Sequence, residues 1–232
     1  MIWVCPAAAT STEAFAERLR SHVDVTVLGL RVRDLAPGEP YGMDLEVAAA
    51  AEAAGSGPVH LAGVSAGATV ALAAALALGD PVESVVLFEP AFIGDDDWDP
   101  AEARWRAAIA SLRTSAQAEE AGAFRDMLMA PGVPAPPPGG ATRWDFRDGL
   151  LQLMLTSRTG FDSADLARID APVLLVRGGR SSPRFGLAAR RLMAVSPRAR
   201  EHVFPALHHF APPYREQPEE LAGLLRGFWG AG

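Results

Sequence analysis

The stretch VHLAGVSAGATVALAAALALG, Val59–Gly79, decides how this chain is read. It holds no Asp, Glu, Lys or Arg, and near its start a serine sits in Gly63-Val64-Ser65-Ala66-Gly67. Three readings compete: a bilayer span, a buried strand–helix pair in which the serine is incidental, and a serine placed for chemistry. The span fails on length. A membrane helix needs about 20 predominantly apolar residues, and the unbroken apolar run after Gly67 is only about a dozen. Pro58 precedes the stretch, four glycines fall from Gly55 to Gly67, and no basic flank anchors it. What remains is a short run, PVHLAGV, that reads as a buried strand and turns directly into an alanine-rich helix closed by Gly79.

Gly-x-Ser-x-Gly alone is a weak signal, since roughly one chain in ten of this size holds it by chance. Its setting strengthens it. A serine between a buried strand and a helix takes a strained backbone conformation, and the flanking glycines remove side chains that would collide in the turn. The first amides of the helix then point at whatever the serine oxygen attacks. This is the nucleophile-elbow arrangement. The plainer alternative is a tight turn that needs small residues for packing.

Outward from the elbow the chain alternates. IWVCP, VDVTVLGL, VESVVLFEP, APVLLVRGG and REHVFP read as further strands. TSTEAFAERLRSH, MDLEVAAAAEAAG and PEELAGLLRGFW read as helices, the first with capping-box spacing at Thr10 and Glu13. Strands alternating with helices predict an α/β fold with a doubly wound, mostly parallel sheet. The alternation breaks once. Residues 95–162 offer helix-like pieces and the loop APGVPAPPPGGAT but no strand, which predicts a helical lid insertion between core segments 1–94 and 163–232.

Composition narrows the function classes. The chain has 232 residues, 49% of them hydrophobic, enough for one large core. A net charge of −7 with scattered arginines gives no basic footprint for nucleic acid. The single cysteine, Cys5, excludes an intramolecular disulfide framework and suits a cytoplasmic setting. Cys5 itself reads as a packed small hydrophobe. The opening MIWVCP lacks the features of a signal peptide. Lysine is absent while alanine and arginine are abundant, a high-GC bacterial bias. Neither dinucleotide nor phosphate-loop glycine spacing occurs, nor metal-ligand spacing, so no cofactor and no metal are expected. The oligomeric state stays open.

A serine hydroxyl needs a base, and the base needs a carboxylate to fix its tautomer. Of the five histidines, His22 precedes the serine, His60 lies in the strand entering the elbow and His202 in the last strand. His208 and His209 remain, in the loop FPALHHFAPPYREQPEEL before the final helix. Two solvated loop histidines are the plainer alternative.

With these pieces in place the chain resembles the α/β-hydrolase family over nearly its whole length, starting at the strand that family counts third. GVSAG matches the elbow, PVLLVRGG the strand before the usual acid loop, and LHHFAPPYREQPEEL the histidine loop. The resemblance implies Ser65 as nucleophile and His209, just before Phe210, as base, with His208 as the alternative. It implies an oxyanion hole from the Ala66 amide and, because Pro6 has no N–H, from Ala7 rather than Pro6, with Ala8 next.

The acid departs from the family pattern. The loop after PVLLVRGG reads Gly178-Gly179-Arg180-Ser181-Ser182-Pro183 and holds no carboxylate. Glu89, ending VVLFEP, is the substitute, since some branches of the family, haloalkane dehalogenases among them, carry the acid there. A glutamate after Val-Val-Leu-Phe is costly to bury without a partner. The alternatives are a solvated strand-end carboxylate with a Ser–His dyad, or an acid from Asp95–Asp97.

The resemblance makes the insertion the specificity element. Trp98, Trp105, Met127, Trp144, Phe146 and Met154 are its candidate substrate-binding residues and suit an apolar pocket. The expected function is a serine hydrolase acting on a carboxylic ester, thioester or related acyl bond of a small apolar molecule. The alternatives are a cofactor-free carbon–carbon hydrolase or cyclase/lyase, and a pocket protein without turnover.

Overall fold

The computed structural model describes residues 1–5, 10–31, 35–36, 39–90, 125–136 and 160–230. Six short apolar runs pair there into one sheet: β1 (Ile2–Cys5), β2 (Thr26–Gly29), β3 (Val59–Val64), β4 (Val82–Phe88), β5 (Val173–Gly178) and β6 (Ala199–Phe204). The order is β2-β1-β3-β4-β5-β6, and every neighbouring pair is parallel. Parallel strands need crossovers, and the helices supply them. They are α1 (Thr10–Leu19), α2 (Met43–Ala54), α3 (Ala66–Leu78), α4 (Ser163–Ala167), α5 (Pro183–Val195), α6 (Pro213–Glu216) and α7 (Pro218–Trp229).

Strand alternation splits the apolar side chains into two cores. Ile2, Val4, Leu61, Val85, Leu87, Val173 and Leu175 face α2, α3, α4 and α5. Trp3, Ala62, Val64, Val86, Phe88, Leu174 and Val176 face α1 and α7, which contribute Phe15, Leu19, Leu221, Leu225 and Phe228. Both faces are covered, which is why the central strands read as continuous apolar runs rather than as alternating ones. β2 is shorter than the run VDVTVLGL suggests, and as an edge strand it is only partly buried.

Three helices go unassigned in the sequence reading, the short α4 and α6 and, longest of them, α5. Its signals are present. Ser182 precedes Pro183 at the first helical turn, and Phe185, Ala188, Ala189 and Leu192 recur on one buried face. Most of the three helix-like pieces expected in the insertion lies outside the described residues. Residues 125–127 form a single helical turn there.

The chain order places the site. β1 lies between β2 and β3, so successive connections depart in opposite directions from the β1/β3 gap. Crevices at the carboxyl ends of strands beside such a reversal are where open α/β sheets hold ligands. Ser65 follows β3 at that edge.

Candidate active site

Ser65 joins β3 to α3 with φ +52° and ψ −116°. Its N–H donates to the Phe88 carbonyl at 2.8 Å, which ties the turn to β4. The glycine two residues earlier has a steric reason: a Cβ on Gly63 would sit 2.2 Å from the Gly67 carbonyl oxygen. Strand and helix can pass this closely only without that atom. Ala66 is buried and opens α3, where the first amides of a helix lack intrahelical acceptors.

Register puts Glu89 beside Ser65. Val64 pairs with Phe88, and Phe88 with Val176, so Ser65 and Glu89 are the first residues past the last rung on adjacent strands. Among the described residues, Ser65 and Glu89 (φ +48°) are the only non-glycine positions with positive φ. Such conformations cost about 1–3 kcal/mol each and cluster where function requires them.

Glu89 is 6% exposed, and both of its oxygens have partners. Oε1 accepts the Gly178 N–H at 2.7 Å, and Oε2 lies 2.6 Å from His209 Nδ1. Burial of a carboxylate is tolerable with such charge-assisted bonds. An ionised Glu89 only accepts, so Nδ1 carries the proton and Nε2 is the nitrogen that can take another. Phe185 stacks parallel on the His209 ring, centroids 5.2 Å apart and planes 4° apart. Phe210 meets the same ring edge-on at 5.5 Å.

The histidine loop lies against the end of β5. Arg180 N–H donates to the Leu207 carbonyl at 3.0 Å and Gly179 N–H to that of Phe204 at 2.8 Å. A Cβ on Gly178 would sit 2.3 Å from the Leu207 carbonyl oxygen, so glycine is required for that approach. Gly178 thus meets the acid through its N–H and the histidine loop through its missing side chain.

The loop that lacks the family's acid has another occupant. Ala130 N–H donates to the Arg180 carbonyl, and Ser182 N–H to that of Leu128, both at 2.9 Å. Ser181 is 4% exposed, and its backbone bridges to Met129. Residues 128–130 are therefore laid along residues 180–182.

His208 is not joined to Glu89. Its Nδ1 accepts the Phe210 N–H at 3.2 Å, and its carbonyl accepts the Ala211 N–H at 2.8 Å. Burial, followed by Arg180, pushes its imidazole below the ordinary value; Arg215 and His209 add to this and Glu89 opposes it. His60 bonds Ser84 at the opposite edge of the sheet, His22 is exposed, and His202 packs on Phe204 within β6.

Ala7, Ala8, Asp95–Asp97, Trp98, Trp105, Trp144, Phe146 and Met154 lie outside the described residues. Met127 is described. It lines a cavity of about 800 Å³ with Met129, Val133, Leu187, Arg184 and Arg190, and none of Ser65, Glu89 and His209 lines that cavity. Glu89 and His209 border a separate recess of about 20 Å³ with Val64, Gly178 and Leu207. Gly178, Phe185 and the backbone bonding of residues 128–130 to residues 180–182 are features of the site that the sequence reading leaves out. The stripe beginning at Phe185 is the signal that reveals the second of them. Among the described residues, no His/Cys/Asp/Glu group could hold a metal ion, and no helix is long and apolar enough to cross a membrane.

Comparison with known proteins agrees with this fold. A model of the alpha/beta hydrolase family matches residues 2–224. No curated protein matches the chain. Among solved structures, a carboxylesterase from Bacillus subtilis is 17% identical with a TM-score of 0.64, covering 100% of this chain and 83% of its own. A meta-cleavage product hydrolase from Pseudomonas fluorescens IP01 is also 17% identical with a TM-score of 0.64, over 99% and 90%. An N-formylmaleamic acid deformylase from Pseudomonas putida S16 is 19% identical with a TM-score of 0.63, over 97% and 90%. At these identities the structures share the fold, and the family match covers nearly the whole chain. The chain belongs to the alpha/beta hydrolase family and is a hydrolase.

Proposed function

We propose that the protein is a serine hydrolase cleaving a carboxylic ester, thioester or related acyl bond of a small apolar substrate. One observation carries this reading: the 2.6 Å contact between Glu89 and His209 beside the strained elbow serine. Ser65 Oγ attacks the acyl carbon while His209 Nε2 takes its proton. Glu89 holds Nδ1–H, fixes the tautomer and stabilises the imidazolium that forms. The tetrahedral oxyanion is held by the amides of Ala66 and Ala7. His209 then gives the proton to the leaving group, and water repeats the sequence on the acyl-enzyme. Residues 95–162 act as the lid that selects the substrate, between core segments 1–94 and 163–232. No cofactor takes part in these steps.

The experiment is covalent labelling with a fluorophosphonate together with a p-nitrophenyl ester panel. Labelling at Ser65 with ester turnover is the expected result. Absence of both contradicts the proposal. A second reading, carbon–carbon hydrolysis or a related cyclase or lyase step, is favoured by the departure of the acid loop from the family pattern and by the likeness to a meta-cleavage product hydrolase. It requires labelling without ester turnover.

A further inference from the structure

The His209 ring is held by carbon as well as by Glu89. Phe185 covers one face of it and Phe210 touches it edge-on. Both rings are tied to one short segment, residues 125–130. The Arg125 guanidinium lies over the Phe210 ring, 4.3 Å from its centroid. Arg125 Nη2 also donates to the Pro136 carbonyl at 2.6 Å, closing the segment on itself. A few residues on, the segment meets the turn that starts α5, through Ser182 N–H to Leu128 and Ala130 N–H to Arg180. Phe185 N–H in turn donates to the Ser182 carbonyl at 3.1 Å. Two arms therefore run from the insertion to the same imidazole.

We propose that residues 125–130 are a positioning element for His209, with Arg125 acting through the Phe210 ring and Leu128–Ala130 through the Ser182–Phe185 turn. The proposal rests on the reading of His209 as the base. The hydrogen bond to Glu89 fixes only Nδ1. The ring can still swing about that contact, and the swing moves Nε2, the atom that must meet the serine proton. A parallel ring on one face and a ring edge beside it remove that freedom. Misplacement of a reacting group by about 1 Å can cost about 10²-fold in rate. The seating of residues 125–130 and the aim of the base are then one mechanical unit. A substrate that shifts residues 125–130 re-aims His209.

The test uses the full chain, a small fluorophosphonate and p-nitrophenyl acetate. Arg125→Ala should lower kcat and the inactivation rate about 3- to 30-fold, the span of a cation–π contact, with KM unchanged within about twofold. Arg125→Lys should restore most of the loss, because an ammonium also sits over a ring. In a Phe210→Leu background, Arg125→Ala should cost nothing further, since the ring it acts through is gone. Ala130→Pro, which deletes one of the two backbone bonds to the α5 turn, should slow inactivation in the same direction. Parent-like rates in both Arg125→Ala and Ala130→Pro, with Ser65 still labelled, overturn the positioning role and leave the hydrolase reading intact. A rise in KM alone, or an equal loss in the Phe210→Leu background, also overturns it. An unlabelled parent removes both readings.

Discussion

The described residues hold two groupings of serine, histidine and glutamate, one at each edge of the sheet, and they differ in burial, backbone and setting. At the amino-terminal edge, His60 Nδ1 lies 2.9 Å from Ser84 Oγ, and Nε2 lies 3.2 Å from Glu83. At the carboxyl edge are Ser65, Glu89 and His209. The Glu83 side chain is 53% exposed, whereas that of Glu89 is 8% exposed and also accepts the Gly178 N–H. Water weakens the first carboxylate's hold on its histidine far more than the second's. Ser84 lies within β4, paired with His60 just past a shift in the ladder's register, with no positive φ and no helix start beside it. Ser65 is strained and opens α3. His60 stacks on Trp229 as part of the packing. The residue types alone do not make the site. The strand ends, the backbone strain and the helix amides distinguish one grouping from the other.

The two serines should differ most. Ser65→Ala should abolish fluorophosphonate labelling and ester turnover while the protein stays folded by circular dichroism. Ser84→Ala should leave both at parental levels. Labelling that survives in Ser65→Ala would sink the nucleophile assignment.

The histidines come next. His209→Ala should lower kcat/KM by several orders of magnitude, on the order of 10³–10⁴-fold. His208→Ala should cost far less, and His60→Ala should change kcat/KM by less than about twofold. A reversal between His208 and His209 would move the base by one position along the loop.

The smallest effect is on stability. Burial pushes the His60 imidazole down, with Glu83 opposing it, and His208 is lowered as well. Below the ordinary value of about 6.5 the unfolded chain takes up protons that the folded chain resists. Stability contributed by these two neutral imidazoles is therefore complete above that pH and is lost as pH falls toward their lowered values. The urea midpoint should drop between pH 7.5 and pH 5.5, and the drop should be smaller in His60→Gln. An equal drop in both proteins would remove His60 from this account.

Much of this was legible in the letters, and the rest depended on distance. The elbow reads from GVSAG because its glycines answer a local constraint, the 2.2 Å approach of Gly67 to a Cβ at position 63. Glu89 reads from a conflict, a carboxylate after Val-Val-Leu-Phe set against a loop with none. That conflict is resolved by a contact spanning 120 residues. Phe185 does not stand out because no helix is assigned to residues 183–195, although the buried stripe is present in the letters. Gly178 and Arg125 act on residues from separate parts of the chain, through strand-end register and a ring contact, and no spacing rule encodes either. The insertion's tryptophans lie outside the described residues, so their part in the pocket stays within the proposal.

On the proposed function, the buried pair Glu89–His209 makes the carboxyl edge catalytic. This is tested most directly by comparing Glu89→Gln with Glu83→Gln in kcat for one ester, with both proteins checked for fold. A neutral amide cannot stabilise the imidazolium and presents the wrong group to Nδ1. The account predicts a fall in kcat of up to about 10⁴-fold for Glu89→Gln and parental kcat for Glu83→Gln. Full activity in Glu89→Gln would contradict it and leave a Ser–His dyad.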